Sequence, residues 1–228
     1  MTLRLLVPLA LVAGVSLAAV AQAQTDTSAE KPKENVTRSA AKGATPLPVE
    51  QLNLSERLAQ HGRATKDPLS LIVAAQIRQQ VGVRVIDRRP DGVDAGPSLP
   101  APDVVAGLLD EARTMAKGDQ TIVALADDVK ASATKGRVGG GVISLGQITG
   151  RTVHSRTMNF RARETAEVAA VGTDTDAIML EVFDEGGHLI CRDTDPAYCR
   201  FTPAWTGGFT VKVHNNGSSL AHYRLETN

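Results

Sequence analysis

Between Val49 and Lys135 the large apolar residues recur at the spacing of a helix face. Leu54, Leu58 and His61 share one such face. Asp67-Pro68 then reads as an N-cap followed by proline in the first helical position, opening a run of Leu69, Ile72, Val73, Gln76 and Ile77. A second unit starts near Asp103 with Val104, Leu108, Leu109, Ala112 and Met115, and breaks at Lys117-Gly118. It restarts from Asp119 into Ile122, Val123, Leu125, Ala126 and Val129. The pattern predicts two helical hairpins. Ala64-Thr65-Lys66-Asp67 and Ala116-Lys117-Gly118-Asp119 echo one another, each a small residue, a turn and an aspartate cap, as helical-hairpin repeats do. Between the units, residues 87–102 carry four prolines and two glycines, and predict an exposed loop.

After Gly136, Gly139, Gly140 and Gly141 the period becomes two. Met158, Phe160 and Ala162 alternate with Asn159, Arg161 and Arg163, and Val168 and Ala170 follow. Then come Ile178, Leu180 and Val182, and later Phe209, Val211 and Val213 between Thr210, Lys212 and His214. Turns at Gly172-Thr173, Gly186-Gly187, Gly207-Gly208 and Asn216-Gly217 separate these strands at the intervals of a β-sandwich. The expected fold is α+β in two domains: a small helical-hairpin domain over 49–135, a Gly-rich linker over 136–150, and an antiparallel, jelly-roll-like sandwich over 151–228.

The ends of the chain add a compartment. Arg4, the apolar stretch from Leu5 to Val20 and Ala21-Gln22-Ala23 have the three parts of a secretory signal peptide over 1–23. Residues 24–48, rich in Thr, Ser, Ala, Lys, Glu and Pro, hold too few large apolar side chains to offset ordering entropy and predict a disordered tether. No second apolar run reaches the roughly 20 residues of a membrane span, so a transmembrane anchor is not expected. The expected location is the bacterial periplasm or the medium beyond it. There Cys191 and Cys199, the two cysteines of the chain, read as a disulfide.

Charge and side-chain chemistry narrow the function classes. Lys plus Arg and Asp plus Glu are each 25, so there is no basic surplus to drive nucleic-acid binding by counterion release. Arg151, Arg156, Arg161 and Arg163 read as a solvated strand face. Asp174, Asp176, Asp184, Asp193 and Asp195 lie near turns that a sandwich brings together. They are the candidate ligands for calcium, the one cofactor considered, although their spacing fits no EF-hand loop. His214 and His222, placed on neighbouring strands, are the histidine pair nearest to metal spacing. Ser144 lies among glycines but not as G-x-S-x-G, and reads as a linker serine. No catalytic set can be assembled. Trp205, the single tryptophan, reads as a structural anchor closing the sandwich core, with Tyr198, Phe201, Tyr223 and Phe183 as its neighbours. So few aromatics make a poor polysaccharide-stacking surface.

Ala177-Ile178-Met179-Leu180-Glu181-Val182-Phe183-Asp184-Glu185-Gly186-Gly187-His188-Leu189-Ile190, then Arg192-Asp193, Pro203-Ala204-Trp205-Thr206-Gly207 and Phe209-Thr210-Val211-Lys212-Val213-His214-Asn215-Asn216-Gly217, resemble the bacterial pre-peptidase C-terminal domain. The resemblance covers the last ~75 residues. It implies a small jelly-roll-like sandwich of exported bacterial proteins, often appended to secreted peptidases and linked with secretion, substrate or matrix binding. The family commonly carries aspartates where Ala177 and Met179 stand here, and no peptidase signature precedes the module in this chain. The expected role is therefore non-catalytic binding or accessory work in the periplasm, with a protein partner. The apolar groove between the hairpins, the proline-rich loop and the sandwich edge are the candidate surfaces. Two alternatives stand beside it: a hydrolase with its site between the domains, and a calcium-stabilised structural or secretion module.

Overall fold

The computed structural model describes residues 33–37, 47–87, 90–91, 103–132, 140–175 and 177–228. The signal-peptide stretch 1–23 and Asp176 lie outside them. Four helices come first: α1 Pro48–Thr65, α2 Pro68–Val81, α3 Val104–Met115 and α4 Gln120–Ala131. Each of the three aspartate caps has its backbone partner. Asp67 accepts from the Leu69 N–H (3.0 Å), Asp103 from Ala106 (2.9 Å) and Asp119 from Thr121 (2.9 Å), satisfying amides that the first helical turn leaves open.

α3 and α4 bury the predicted faces, with Leu108, Leu109, Ala112, Ala126 and Val129 inside, whereas α1 and α2 do not bury all that their large apolar residues mark. Leu54, Leu69 and Val73 are exposed. On α1 the buried set is Val49, Leu52, Asn53, Ser55, Glu56, Ala59 and Gly62, and on α2 it is Leu71, Ile72, Ala74, Ala75, Arg78 and Val81. Small residues let the two helices approach: the Ser55 hydroxyl donates to the Ala74 carbonyl at 2.8 Å, and a Cβ on Gly62 would lie 2.9 Å from the Asp67 carbonyl oxygen. Leu71, Ile72, Leu108, Leu109, Ala112 and Ala126 fill the space between the hairpins.

Nine strands make two sheets. In one, β1 (Val83–Val85), β2 (Gly141–Ile148), β9 (Ala221–Thr227), β4 (Ala166–Gly172) and β7 (Ala197–Phe201) lie in that order; only the β1–β2 pair is parallel. In the other, β3 (Val153–Phe160), β8 (Gly207–Asn215), β5 (Ile178–Phe183) and β6 (Leu189–Thr194) are antiparallel throughout. The sheets face each other across a core of Ile148, Val168, Ile178, Leu180, Phe209, Val211, Tyr223 and Leu225. The Cys191–Cys199 disulfide, with its Cα atoms 5.9 Å apart, ties β6 to β7 and so joins the edge strands of the two sheets.

Gly140 serves close approach. The stretch 136–150, expected as a linker, contains β2, and a Cβ on Gly140 would fall 1.9 Å from the Gly82 carbonyl oxygen. That contact brings the start of β2 beside the start of β1.

Helices and sheet meet on the outer face of the five-stranded sheet. β4 is buried along nearly its whole length because α1 covers the face turned away from the core. Leu47, in the N-cap position of α1, offers no capping side chain. Glu167 of β4 takes that place, accepting from the amides of Val49 (3.2 Å) and Glu50 (3.0 Å), and from the Tyr198 hydroxyl at 2.6 Å. Burial pushes the Glu167 carboxyl up, against the pull of these donors. Burial, with the adjacent Glu167 carboxylate, raises the Tyr198 phenol.

Candidate functional site

The outward-facing residues of β9, Arg224 and Glu226, meet Glu56 of α1 and Arg78 of α2. Arg78 Nη2 donates to Glu226 Oε1 at 2.5 Å and Arg224 Nη2 to Glu56 Oε2 at 2.7 Å. Arg224 Nε stands 3.5 Å from Glu226 Oε1. The cluster balances two positive and two negative charges in a layer where Glu226 is 0% exposed. Charges this deep persist only when paired, so the seam holds helices and sheet in one register. A hydrolase built between the helices and the sandwich would have its site along this seam, where the two guanidinium–carboxylate pairs, Glu167 with Tyr198, and Asn53 are found.

Beside the cluster the chain leaves α2 and turns at Gly82, whose φ of 67° suits glycine, into the three residues of β1. Strand alternation sends Val83 and Val85 to one side of the sheet and Arg84 to the other. Val83 and Val85, 43% and 45% exposed, line a groove of about 210 Å³ with Val104 and Val105 of α3 and Ile143 and Leu145 of β2. Arg78 and Arg224 reach the same groove. On the opposite side, Arg84 and Ile86 border a cleft of about 560 Å³ with Arg156, Thr157 and Asn159 of β3, Asp91, and the last two residues of the chain.

The main chain of β1 is half used. The Ile86 amide donates to the Ile143 carbonyl at 2.8 Å, so Ile86 and Arg84 turn their peptide groups toward β2. By the same alternation the N–H and C=O of Val83 and Val85 point away from it. Among the described residues no strand pairs with that side, and β1 is the edge of its sheet. An edge strand bearing exposed valines, with no charge or proline at those two positions, is a template for another extended chain.

Arg156, expected on a solvated face, is 3% exposed. It points between the sheets, where Nη1 donates to Ser144 Oγ at 2.5 Å and Nη2 to the Tyr223 hydroxyl at 3.4 Å. Ser144 is thus a buried β2 residue supporting this arginine, and not a linker serine. His154 joins the group through Nδ1, 3.1 Å from the Tyr223 oxygen. Burial, with the neighbouring Arg156 charge, lowers the His154 pKa.

A second polar patch lies at the turns following β5 and β7. Residues 33–37, inside the stretch read as a disordered tether, are placed against the sandwich. The Asn35 amide donates to Asp184 (2.9 Å) and its side chain to Glu185 (3.1 Å), while Asn35 Oδ1 accepts from the Trp205 amide (2.9 Å). The Thr37 amide donates to the Thr202 carbonyl at 2.8 Å. Trp205 is half-buried and outside the core, with its indole N–H donated to Glu185. Phe160, Phe201 and Phe209 form the aromatic centre in its stead, their ring centroids 4.9–5.7 Å apart. Among its expected neighbours, Phe183 instead carries the Lys212 ammonium 4.5 Å from its ring centroid.

This patch titrates. Burial pushes the Asp184 carboxyl up, but the amides of Asn35 and His188 and the His188 ring outweigh it, and the net shift is downward. For Glu185 too, burial acts upward and is outweighed, here by its own amide, the Trp205 indole and Asn35. Both carboxyls titrate lower folded than unfolded, so their stabilisation is complete above the ordinary range of about 3.9–4.3 and is lost as pH falls through the lowered values. Trp205 emission should therefore shift red on acidification below about pH 4, and Asn35→Ala should produce that shift already at neutral pH. Emission that is flat with pH and unchanged in the variant would contradict this reading.

Of the five aspartates proposed for calcium, the four among the described residues, Asp174, Asp184, Asp193 and Asp195, are engaged separately. Asp174 accepts from the His222 amide and ring. Asp193 accepts from the Thr194 and Tyr198 amides, and Asp195 from the Gly172 amide at 2.7 Å. Among the described residues no three His, Cys, Asp or Glu side chains are grouped to hold a metal ion. His214 and His222 are on different sheets, His214 bonded to Glu181 at 2.8 Å. No helix among the described residues is long and apolar enough to cross a membrane.

These features define an α+β protein in which buried ion pairs hold the first helical hairpin on one face of a β-sandwich and the second hairpin packs on the first. Comparison with protein-family models finds no match, and neither does comparison with curated proteins. Among solved structures, the chain is similar to a periplasmic inhibitor of g-type lysozyme from Aeromonas hydrophila, at 17% identity and a TM-score of 0.34, over 39% of this chain and 84% of that one. The Yersinia pseudotuberculosis-derived mitogen matches at 16% identity and 0.33, over 39% and 85%. The pre-peptidase C-terminal domain of a Bacillus anthracis collagenase matches at 12% and 0.32, over 38% and 87%. At such identities and scores none of them assigns a role to a residue here.

Proposed function

We propose that this protein is an exported, non-catalytic binding protein of the bacterial periplasm that takes an extended segment of a partner polypeptide onto the open edge of β1. The observation that carries the reading is the exposure of Val83 and Val85 beside an apolar groove, on a strand whose outer peptide groups face away from the sheet. Strand addition draws affinity from main-chain hydrogen bonds and selectivity from pockets for alternate side chains, and both are present at this edge. The inter-sheet disulfide and the signal-like first 23 residues support export to an oxidising compartment.

Proline at position 85 removes an N–H that points away from β2, and proline is tolerated on edge strands. Val85→Pro should therefore leave the fold intact and weaken binding of extended peptides selected from a displayed heptapeptide library by about tenfold or more, a loss of roughly 1.4 kcal/mol. Val85→Thr, which keeps the amide, should retain most of the affinity in the same anisotropy titration. Equal binding by wild type and Val85→Pro would overturn the reading.

A further inference from the structure

We infer that the pocket around Asn35 is a second polypeptide-binding site, filled in the free protein by the chain's own residues 33–37 and open to a partner segment of the form Asn-aliphatic-x, with x any residue but proline. Asn35 is 0% exposed, and both ends of its carboxamide are read. Nδ2 donates to Glu185 Oε2 at 3.1 Å and Oδ1 accepts from the Trp205 amide at 2.9 Å, while the Asn35 main-chain N–H donates to Asp184 Oδ2 at 2.9 Å. An aspartate here would set a charged oxygen against Glu185, and an apolar side chain would forfeit both side-chain hydrogen bonds. Val36 packs on the edge of the sandwich core. The Thr37 main-chain N–H donates to the Thr202 carbonyl at 2.8 Å, a contact that any residue but proline supplies.

The walls of this pocket are fixed by bonds that do not involve the segment. Asp184 is held in the turn between β5 and β6. Its carboxylate accepts from the His188 amide (2.9 Å) and lies 3.0 Å from His188 Nδ1, and its main chain bonds to those of His188 (3.1 Å) and Gly187 (3.0 Å). Glu185 accepts from the Trp205 indole. Gly207, at the start of β8, keeps the floor open, since a Cβ there would lie 3.0 Å from Asn35 Nδ2. A receptor whose walls are held by their own contacts is preorganised and loses little affinity to reordering. The occupant is joined to the start of α1 by residues 38–46, rich in small side chains. So short a link presents it at an effective concentration of about a millimolar, which a partner's segment has to outcompete.

The test is fluorescence anisotropy of a labelled peptide of residues 31–39, Lys-Pro-Lys-Glu-Asn-Val-Thr-Arg-Ser, titrated with the full chain. Asn35→Ala weakens the chain's own occupant, and that variant should bind the peptide about tenfold tighter than wild type, or better. Asn35→Ala combined with Val36→Asp, which also removes the apolar anchor, should bind at least as tightly as the single variant. Replacing the peptide's asparagine by aspartate or alanine should cost about tenfold. Gly207→Ala in the Asn35→Ala chain should abolish peptide binding while circular dichroism stays that of the folded protein. Val85→Pro should leave peptide binding unchanged, which separates this site from β1. Equal binding of the asparagine and aspartate peptides, equal binding by wild type and both variants, or no binding to the doubly substituted chain would overturn the inference and leave residues 33–37 a structural strut.

Discussion

Glu226→Ala is expected to destabilise the protein by about 3–5 kcal/mol, because it leaves the guanidiniums of Arg78 and Arg224 buried beside an absent carboxylate. Glu226 is fully buried, takes a 2.5 Å hydrogen bond from Arg78 and lies 3.5 Å from Arg224 Nε. Against a total stability of about 5–15 kcal/mol, such a loss lowers the denaturant midpoint steeply. Replacing the pair together, Arg78→Met with Glu226→Leu, should recover much of the loss, since apolar groups of similar volume remove both desolvation penalties. Urea unfolding followed by circular dichroism and by Trp205 emission reads helices and sandwich separately, and the two curves should move together in the single variant. A loss below about 1 kcal/mol would assign the cluster to a solvated setting.

Phe209→Ala is expected to cost about 3–5 kcal/mol through the cavity it leaves. The side chain is completely buried, and its ring lies tilted 4.9 Å from that of Phe201 and meets Phe160 edge-to-face at 5.7 Å between centroids. Trp205→Ala should cost clearly less, since that ring lies outside the core and its main polar contact is with Glu185 at the surface. Equilibrium unfolding of the two variants ranks them directly. A larger loss from Trp205 than from Phe209 would restore the tryptophan to the central position that the sequence suggests.

That contrast shows what is legible in the chain and what is not. The aspartate caps at 67, 103 and 119 are readable because a cap and its amides lie within three residues. The period-two stretches around Leu180 and Val211 are readable because one face of each lies in the core. The α1 cap is not readable, since Glu167 acts on Val49 across 118 residues. The buried faces of α1 and α2 mislead because Glu56 and Arg78, marked as solvent residues by type, are drawn inward by charges on β9. Arg156 deceives in the same way, its burial depending on hydroxyls from two other strands.

The candidate site was visible only as separate surfaces. A sandwich edge, a groove by the hairpins and a proline-rich loop are each suggested by composition, but β1 has only three residues, too few for a period. Its partner β2 begins in glycines that look like a joint until Gly140 is seen against Gly82. Only the fold brings the end of α2, the start of α3 and β2 around Val83 and Val85. Asn35 is a parallel case: nothing in a polar stretch marks the one residue that docks on Asp184, Glu185 and Trp205.

Residue-resolved amide hydrogen exchange along β1 probes the proposed edge most directly. In the free protein the Val83 and Val85 amides should exchange quickly while those of Arg84 and Ile86 are protected by β2, and a saturating extended peptide should protect Val83 and Val85 and leave the β2 pairing unchanged. Val83 and Val85 amides that are already protected in the free protein, or that gain no protection when peptide binds, would contradict strand addition at this edge.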